Sequence, residues 1–186
     1  MKVARPQVTL RRPVPHDLKL LHALDSNQLD SELANPMGFN AIPSSILEDR
    51  LRRGDSAPLT GARGSEEFTI ESHGMAIGIA GLYEIDLYNR VTSIGVSLAS
   101  SRGQGLGYAA HVALLNLAFS REGIDRVVGH IKSPNVPAIR VAERLGMTLE
   151  GRLRAHRRLA DARVDLLVYG ILRDEWVTHG SSEKST

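Results

Sequence analysis

Residues 91–107 read V-T-S-I-G-V-S-L-A-S-S-R-G-Q-G-L-G, and the chain continues from Tyr108 to Ser120 without a break in pattern. Alternating β-branched and apolar residues over 91–98 predict a strand, and A-S-S predicts a short connection. After Gly107 the spacing of Ala110, Leu114, Leu117 and Ala118 predicts a helix. Glycines therefore fall where a strand hands over to a helix. Peptide N–H groups of residues 102–107 would lie unpaired at the positive end of the helix dipole, with little side chain to obstruct a ligand. The alternative is a tight connection that needs only glycine's backbone freedom. Three glycines in five residues, with Arg102 at the mouth, favour an anion site suited to phosphates.

Gly105-Leu106-Gly107-Tyr108-Ala109-Ala110 also fits G-x-G-x-x-A, the dinucleotide fingerprint, and Asp125 falls about twenty residues further on. Two features oppose that reading. The first glycine of the fingerprint ends its strand, whereas A-S-S-R-G-Q intervenes here, and the acid should end the second strand, whereas Asp125 precedes the next one. There is no G-x-x-x-x-G-K-[ST], which excludes a P-loop.

Arg102-Gly103-Gln104-Gly105-Leu106-Gly107 resembles the [QR]-x-x-G-x-[GA] acetyl-CoA motif of the GNAT N-acetyltransferases. Asn135-Val136-Pro137-Ala138, followed by Glu143-Arg144-Leu145-Gly146-Met147, is similar to their second motif, N-x-x-A/S and a helix ending in L-G-F. Leu149-Glu150-Gly151-Arg152-Leu153-Arg154, Asp165, Tyr169-Gly170, Glu175-Trp176 and the early Val8-Thr9-Leu10-Arg11 resemble the branch that holds the ribosomal-protein N-terminal and the spermidine acetyltransferases. The resemblance spans nearly the whole chain. It implies an α+β (mixed α/β) fold, with one mostly antiparallel twisted sheet of six to seven strands flanked by helices.

Composition sets the outer limits. At 186 residues the chain reads as one domain over 1–179 with a small polar tail, 180–186, expected to be disordered. Hydrophobic content of 42% and charged content of 24% are those of an ordinary globular protein. Cysteine is absent, which removes disulfides, thiolate metal sites and a cysteine nucleophile. No apolar run approaches 18 residues, and M-K-V-A-R-P lacks the apolar core of a signal peptide, so a cytoplasmic protein without membrane contact is expected. A net charge of +2 and 4% aromatic residues argue against nucleic-acid binding. The seven histidines form no H-x-x-x-H or H-E-x-x-H arrangement, and no metal site is expected.

In chain order, residues 7–12 predict a strand and 17–27 a short amphipathic helix on Leu18, Leu21 and Leu24. Residues 44–53 predict a second helix, capped by Ser44 or Ser45 with Glu48 behind and closed by Gly54. The resemblance implies that the intervening 27–43 segment borders the acceptor; a plain surface loop is the other reading. Residues 68–72 and 75–86 predict a hairpin about His73-Gly74, followed by a turn at Asn89-Arg90. Gly123 is expected to close the central helix. A strand over 126–131, a helix from Asn135 to Gly146 and a hairpin of 147–159 with 163–172 complete the chain.

For chemistry, the resemblance implies acetyl transfer from acetyl-CoA to a primary amine by direct attack. Backbone near Val96 and Leu98 would take the pantetheine arm and thioester oxygen, Arg102, Gly103, Gln104, Gly105, Leu106 and Gly107 the pyrophosphate, and Asn135 an amide of the arm. Asn135 can equally cap its helix. Relatives place an acid at a Ser three residues, or a Tyr seven residues, after that Asn; here these are Ala138 and Ala142. Ser97 or Tyr108 is then the candidate acid, or water serves. Glu84, with Asp86 and His130 behind it, is the candidate base, each weighed against an ordinary structural role.

Arg152, Arg154, His156 and Arg158 alternate onto one face of a strand, with Arg157 opposite. Most such runs are solvated faces. If this one borders the acceptor, it repels a polyamine and favours an acceptor bearing carboxylate or phosphate. The expected acceptor is an α-amino group of a protein or peptide. The alternatives are a small amine, such as a polyamine or an amino-bearing antibiotic or metabolite, and a catalytically silent acyl-CoA-binding domain. A homodimer through the sheet edge or final hairpin is expected by analogy alone.

Overall fold

The computed structural model describes residues 7–17, 20, 24, 64–99 and 105–183. Seven strands form one sheet in the order β1-β2-β3-β4-β5-β7-β6. They are β1 (Thr9–Arg11), β2 (Glu66–Ser72), β3 (Met75–Asp86), β4 (Val91–Leu98), β5 (Arg126–Lys132), β6 (Thr148–Leu159) and β7 (Ala162–Leu172). The described helices are α1 (Leu106–Ser120), α2 (Val136–Arg144) and α3 (Arg173–Glu183), with a single 3-10 turn at Pro15–Asp17. The predicted helix at 44–53 and the 27–43 segment lie outside the described residues, and of the predicted helix at 17–27 the positions 20 and 24 are helical.

Every strand pair is antiparallel except β4 with β5. The hairpin β2–β3 turns at His73-Gly74, as the sequence indicates. The parallel pair requires a crossover, which α1 supplies between the two strands. Its buried residues are Leu106, Ala110, Leu114, Leu115, Ala118 and Phe119, and the helix packs on β1, β3 and β4.

Residues paired across a ladder share a face of the sheet. One face carries Ala80, Leu82, Ile94, Val127 and Ile171 and joins the main core with α1. The other carries Glu67, Thr69, Gly81, Tyr83, Ser93, Gly95 and, two residues beyond the Ser93↔Val128 pair, His130. On this second face the Tyr83 ring lies flat over its neighbours. A Cβ on Gly81 would stand 2.4 Å from the ring's Cζ, and one on Gly95 would stand 3.0 Å from Cε2. These two glycines make room for Tyr83, whose hydroxyl donates to Glu67 at 3.2 Å.

Several strand limits shift by one or two residues from the sequence reading, and three helix boundaries differ in ways that matter. The central helix begins at Leu106, so Gly105 (φ 75°) is its cap and Gly107 already belongs to its first turn. It ends at Ser120, and Gly123 (φ 95°) instead turns the chain towards β5. Helix α3 runs to Glu183, so residues 180–183 of the expected disordered tail are helical. No described helix is long and apolar enough to cross a membrane.

Candidate active site

The parallel pairing of β4 with β5 stops at Ile94↔Gly129, yet β4 continues to Leu98 and β5 to Lys132. The strands diverge, because β4 stays registered with β3 to its end while β5 stays registered with β7. A wedge opens through the sheet between them. Its walls are Gly95 and Val96 from β4, His130 and Ile131 from β5, and Asn135, Ala138 and Ala142 from α2. Along the opened edges, peptide groups of the two strands no longer serve one another, which suits an extended ligand carrying amides of its own.

Beside the wedge stands the amino end of α1. Gly105 caps it in the left-handed region without a side-chain hydrogen bond, and no acidic residue occupies its first turn. Among the described residues, no side chain caps that turn or sets an acid in it against the dipole. Leu106 buries its side chain in the core, so it offers a ligand only backbone. Gly107 directs its carbonyl to the Nδ1 of His111 at 2.7 Å. Burial holds the His111 imidazole below its usual range, against that hydrogen bond. Arg102, Gly103 and Gln104 lie outside the described residues.

Asn135 caps α2, accepting from the Ala138 N–H at 3.2 Å while bordering the wedge. Ala138 and Ala142 also border it, so where the resemblance would put an acidic hydroxyl this chain presents two methyl groups. Val96 forms part of the wall; Leu98 ends β4 and meets Gly107, whose Cβ would stand 3.8 Å from the leucine's Cδ1. Ser97 is registered with Ile79 on the second face and is not among the wedge residues. The Tyr108 ring sits beneath the Arg144 guanidinium, 3.9 Å from its centroid, and is likewise not among them.

Glu84 sits on a bulge of β3. The register slips between Tyr83↔Ser93 and Asp86↔Val91, and Glu84 itself adopts φ 52°. That twist turns its carboxylate onto the second face, where Ser93 Oγ donates to it at 3.3 Å. His130 is on the same face. Burial lowers its pKa below the usual histidine value; the Glu84 carboxylate opposes this, and the positive charge of Arg157 and His156 on β6 reinforces it. Asp86 instead closes its own turn, accepting from the Tyr88 and Asn89 N–H groups.

The predicted cationic face of β6 is interrupted. Two extra residues enter between Leu153↔Leu166 and Arg157↔Val164, with Ala155 at φ 50°. Asp165 of β7 holds this bulge, accepting from the Ala155 N–H at 2.8 Å and from Arg152 Nε at 2.5 Å. Arg152 and Arg158 keep a common face by register, but Arg154 and His156 belong to the bulge, and Arg152 has a carboxylate partner. Among the described residues there is no group of three or more metal-ligating side chains.

A seven-stranded sheet split between its two central parallel strands, with a glycine-capped helix at the split, is the framework of an acyl-CoA-dependent transferase. Residues 7–148 match the Acetyltransferase (GNAT) domain family, and the chain belongs to it. It is 33% identical over 148 residues to YdaF of Bacillus subtilis (strain 168), a protein named as a candidate ribosomal N-acetyltransferase; the match covers 76% of this chain and 75% of YdaF. The fold superposes on the crystal structure of a candidate acetyltransferase with a TM-score of 0.74 at 25% identity, covering 91% of this chain and 94% of the other. It also matches RimL, a ribosomal L7/L12 α-N-protein acetyltransferase, with a TM-score of 0.71 at 21% identity over 89% and 90% of the two chains. The spermidine/spermine N-acetyltransferase SpeG of Vibrio cholerae matches with a TM-score of 0.73 at 19% identity over 92% and 96%. The protein is thus a GNAT N-acetyltransferase, a family whose members use acetyl-CoA as co-substrate.

Proposed function

We propose that this enzyme transfers the acetyl group of acetyl-CoA by direct attack onto an α-amino group of a protein or peptide. The observation that carries the reading is the adjacency of the β4–β5 wedge to the bare amino end of α1. An extended arm with amides fits the first, and phosphates fit the second. Acetyl-CoA supplies the activated acetyl group; the protein's part is to hold and orient it, with Gly95, Val96 and Leu98 along the arm and residues 102–107 around the pyrophosphate. Asn135 anchors the far wall.

The charge around the acceptor face favours a peptide over a polyamine. Arg157 and His156 act on His130, and a polycation approaching them meets like charge. SpeG acts on spermidine and spermine, yet its likeness to this chain is one of fold. A catalytically silent acyl-CoA-binding domain is the second reading, favoured by the two methyl groups of Ala138 and Ala142 where an acid is expected.

Calorimetric titration with acetyl-CoA and with NAD, followed by thiol release on a panel of free-α-amine peptides and polyamines, tests these readings. Acetyl-CoA binding with thiol release on peptides supports the proposal. Binding without release on any amine supports the silent domain, and binding of NAD in place of acetyl-CoA overturns both.

A further inference from the structure

We infer that His130 is the group that takes the proton from the acceptor's ammonium, and that Glu84, by its negative charge on the same face of the sheet, is the residue that supports it. This rests on the acetyl-transfer reading above and goes beyond it in naming the base.

His130 forms part of the wedge wall immediately past Gly129, the last residue of β5 paired with β4. Its Nδ1 is buried and has no hydrogen-bond partner among the described residues. Buried polar atoms are nearly always satisfied, and one left open beside a cleft calls for a partner from outside the protein. His130 lines the wedge from the second face, which it shares with Ser93 and Val128, so an amine held in the wedge lies against this ring. The Glu84 carboxylate is bent onto that face by a strained φ of 52° that an ordinary strand glutamate would not adopt.

The chemistry favours the imidazole over the carboxylate. A general base works best with a pKa near the operating pH, and histidine's ordinary value of ~6.5 is much closer to it than that of a carboxylate. Burial keeps the ring neutral and ready to accept a proton. Glu84 then stabilises the imidazolium that forms, while Arg157 and His156 on β6 resist it; His111 on α1 borders the same cleft. In the balanced step, the ammonium gives one proton to His130, and the free amine nitrogen bonds to the thioester carbonyl carbon. The C–S bond breaks, its electrons leave on the thiolate, and the second N–H proton is given up to solvent, from which the thiolate takes one.

The test compares wild type, His130→Gln and Glu84→Gln. The expected result for His130→Gln is a roughly hundredfold or greater loss of kcat on a free-α-amine peptide, with acetyl-CoA affinity unchanged within about twofold. The loss should shrink at high pH, where the amine is already deprotonated in solution. Glu84→Gln should move the acidic limb of kcat/KM to lower pH, together with the His130 titration followed by NMR, because the carboxylate that favours the imidazolium is gone. A His130→Gln enzyme within about threefold of wild type from pH 6 to 9 would overturn the inference and leave the acetyl-transfer reading standing. So would an acidic limb that disappears in Glu84→Gln but persists in His130→Gln. A wild type that releases no thiol with any amine would bring down the acetyl-transfer reading itself, and the inference with it.

Discussion

The Arg11 guanidinium grips the Asp17 carboxylate with two parallel N–H bonds, of 2.7 and 2.8 Å, and so fixes β1 to the 3-10 turn that follows it. Asp17 is 2% exposed and also accepts from the Val14 N–H and the Thr69 hydroxyl, which ties the turn to β2. Burial alone would raise this carboxyl's pKa; the bonds from Arg11, Val14 and Thr69 outweigh it and hold the group below its usual value. The stabilisation is therefore complete above the unfolded-state pKa, ~3.9, and is lost as pH falls through the lower folded-state value. Asp17→Ala should cost about 2–3 kcal/mol, since it leaves the Val14 N–H and the Thr69 hydroxyl without their acceptor and Arg11 with Glu71 as its remaining carboxylate. Urea denaturation at pH 7 measures the loss, and the mutant's stability should fall less steeply than wild type below pH 4.

Arg173 ties the end of the sheet to the end of the central helix. Its guanidinium donates to the carbonyls of Phe119, Arg121 and Ile124, where α1 stops and the chain turns towards β5, and it also reaches Asp125. A cation on the last carbonyls of a helix answers both their unmet hydrogen bonds and the negative end of the dipole. Arg173→Ala should lower stability by about 2 kcal/mol, and Arg173→Lys should recover only part of this, because an ammonium cannot span three carbonyls as the planar fork does. Thermal unfolding should show a drop of about 4–8 °C for the alanine variant. Acetyl-CoA affinity, set at the opposite end of α1, should change by less than about twofold.

Gly105 separates two demands made on one residue, a left-handed backbone and an unobstructed anion site. Gly105→Glu violates both, with a side chain that dislikes φ 75° and a charge that repels phosphate. Gly105→Asn keeps the left-handed backbone, which asparagine tolerates, and adds a side chain without charge at the mouth of the site. Calorimetry should find acetyl-CoA binding reduced at least a hundredfold in Gly105→Glu and less than about tenfold in Gly105→Asn. Equal losses in the two would mean that the loop's shape, and not its electrostatics, governs binding.

The strands, the crossover helix and the order of the two motifs were legible because each rests on a local pattern: alternation over Val91–Leu98, the apolar stripe Ala110, Leu114 and Ala118, and Asn135 as a cap. What escaped reading depends on residues far apart in the chain. The wedge exists because β4 follows β3 while β5 follows β7, a competition between ladders that no single stretch records. The bulges at Glu84 and Ala155 place non-glycine residues at positive φ, where sequence offers no turn signal. Asp165 lies ten residues from Ala155 and on the other strand, so the alternating arginines of β6 read as a continuous face although one of them is matched. The lone histidine of β5 was a candidate by residue type alone; the register that puts it on one face with Ser93 and Glu84 is what distinguishes it from a structural histidine.

The remaining proton, the one that reaches the departing thiolate, is where the residues nominated from sequence can be separated. Ser97 and Tyr108 both carry hydroxyls, but neither is among the wedge residues, and the Tyr108 ring is engaged by Arg144. Ala138 does border the wedge, at the start of α2 and beside the Asn135 cap. If the thiolate is protonated by solvent entering the wedge, Ser97→Ala and Tyr108→Phe should each keep kcat within about threefold of wild type. Ala138→Ser should raise it severalfold, since a positioned acid contributes at least about 10²-fold when protonation limits the rate and less when it does not. Steady-state thiol release on one peptide acceptor, with acetyl-CoA saturating, measures all three. A fall of more than tenfold in either hydroxyl-deleted variant, with acetyl-CoA affinity preserved, would identify that residue as the acid.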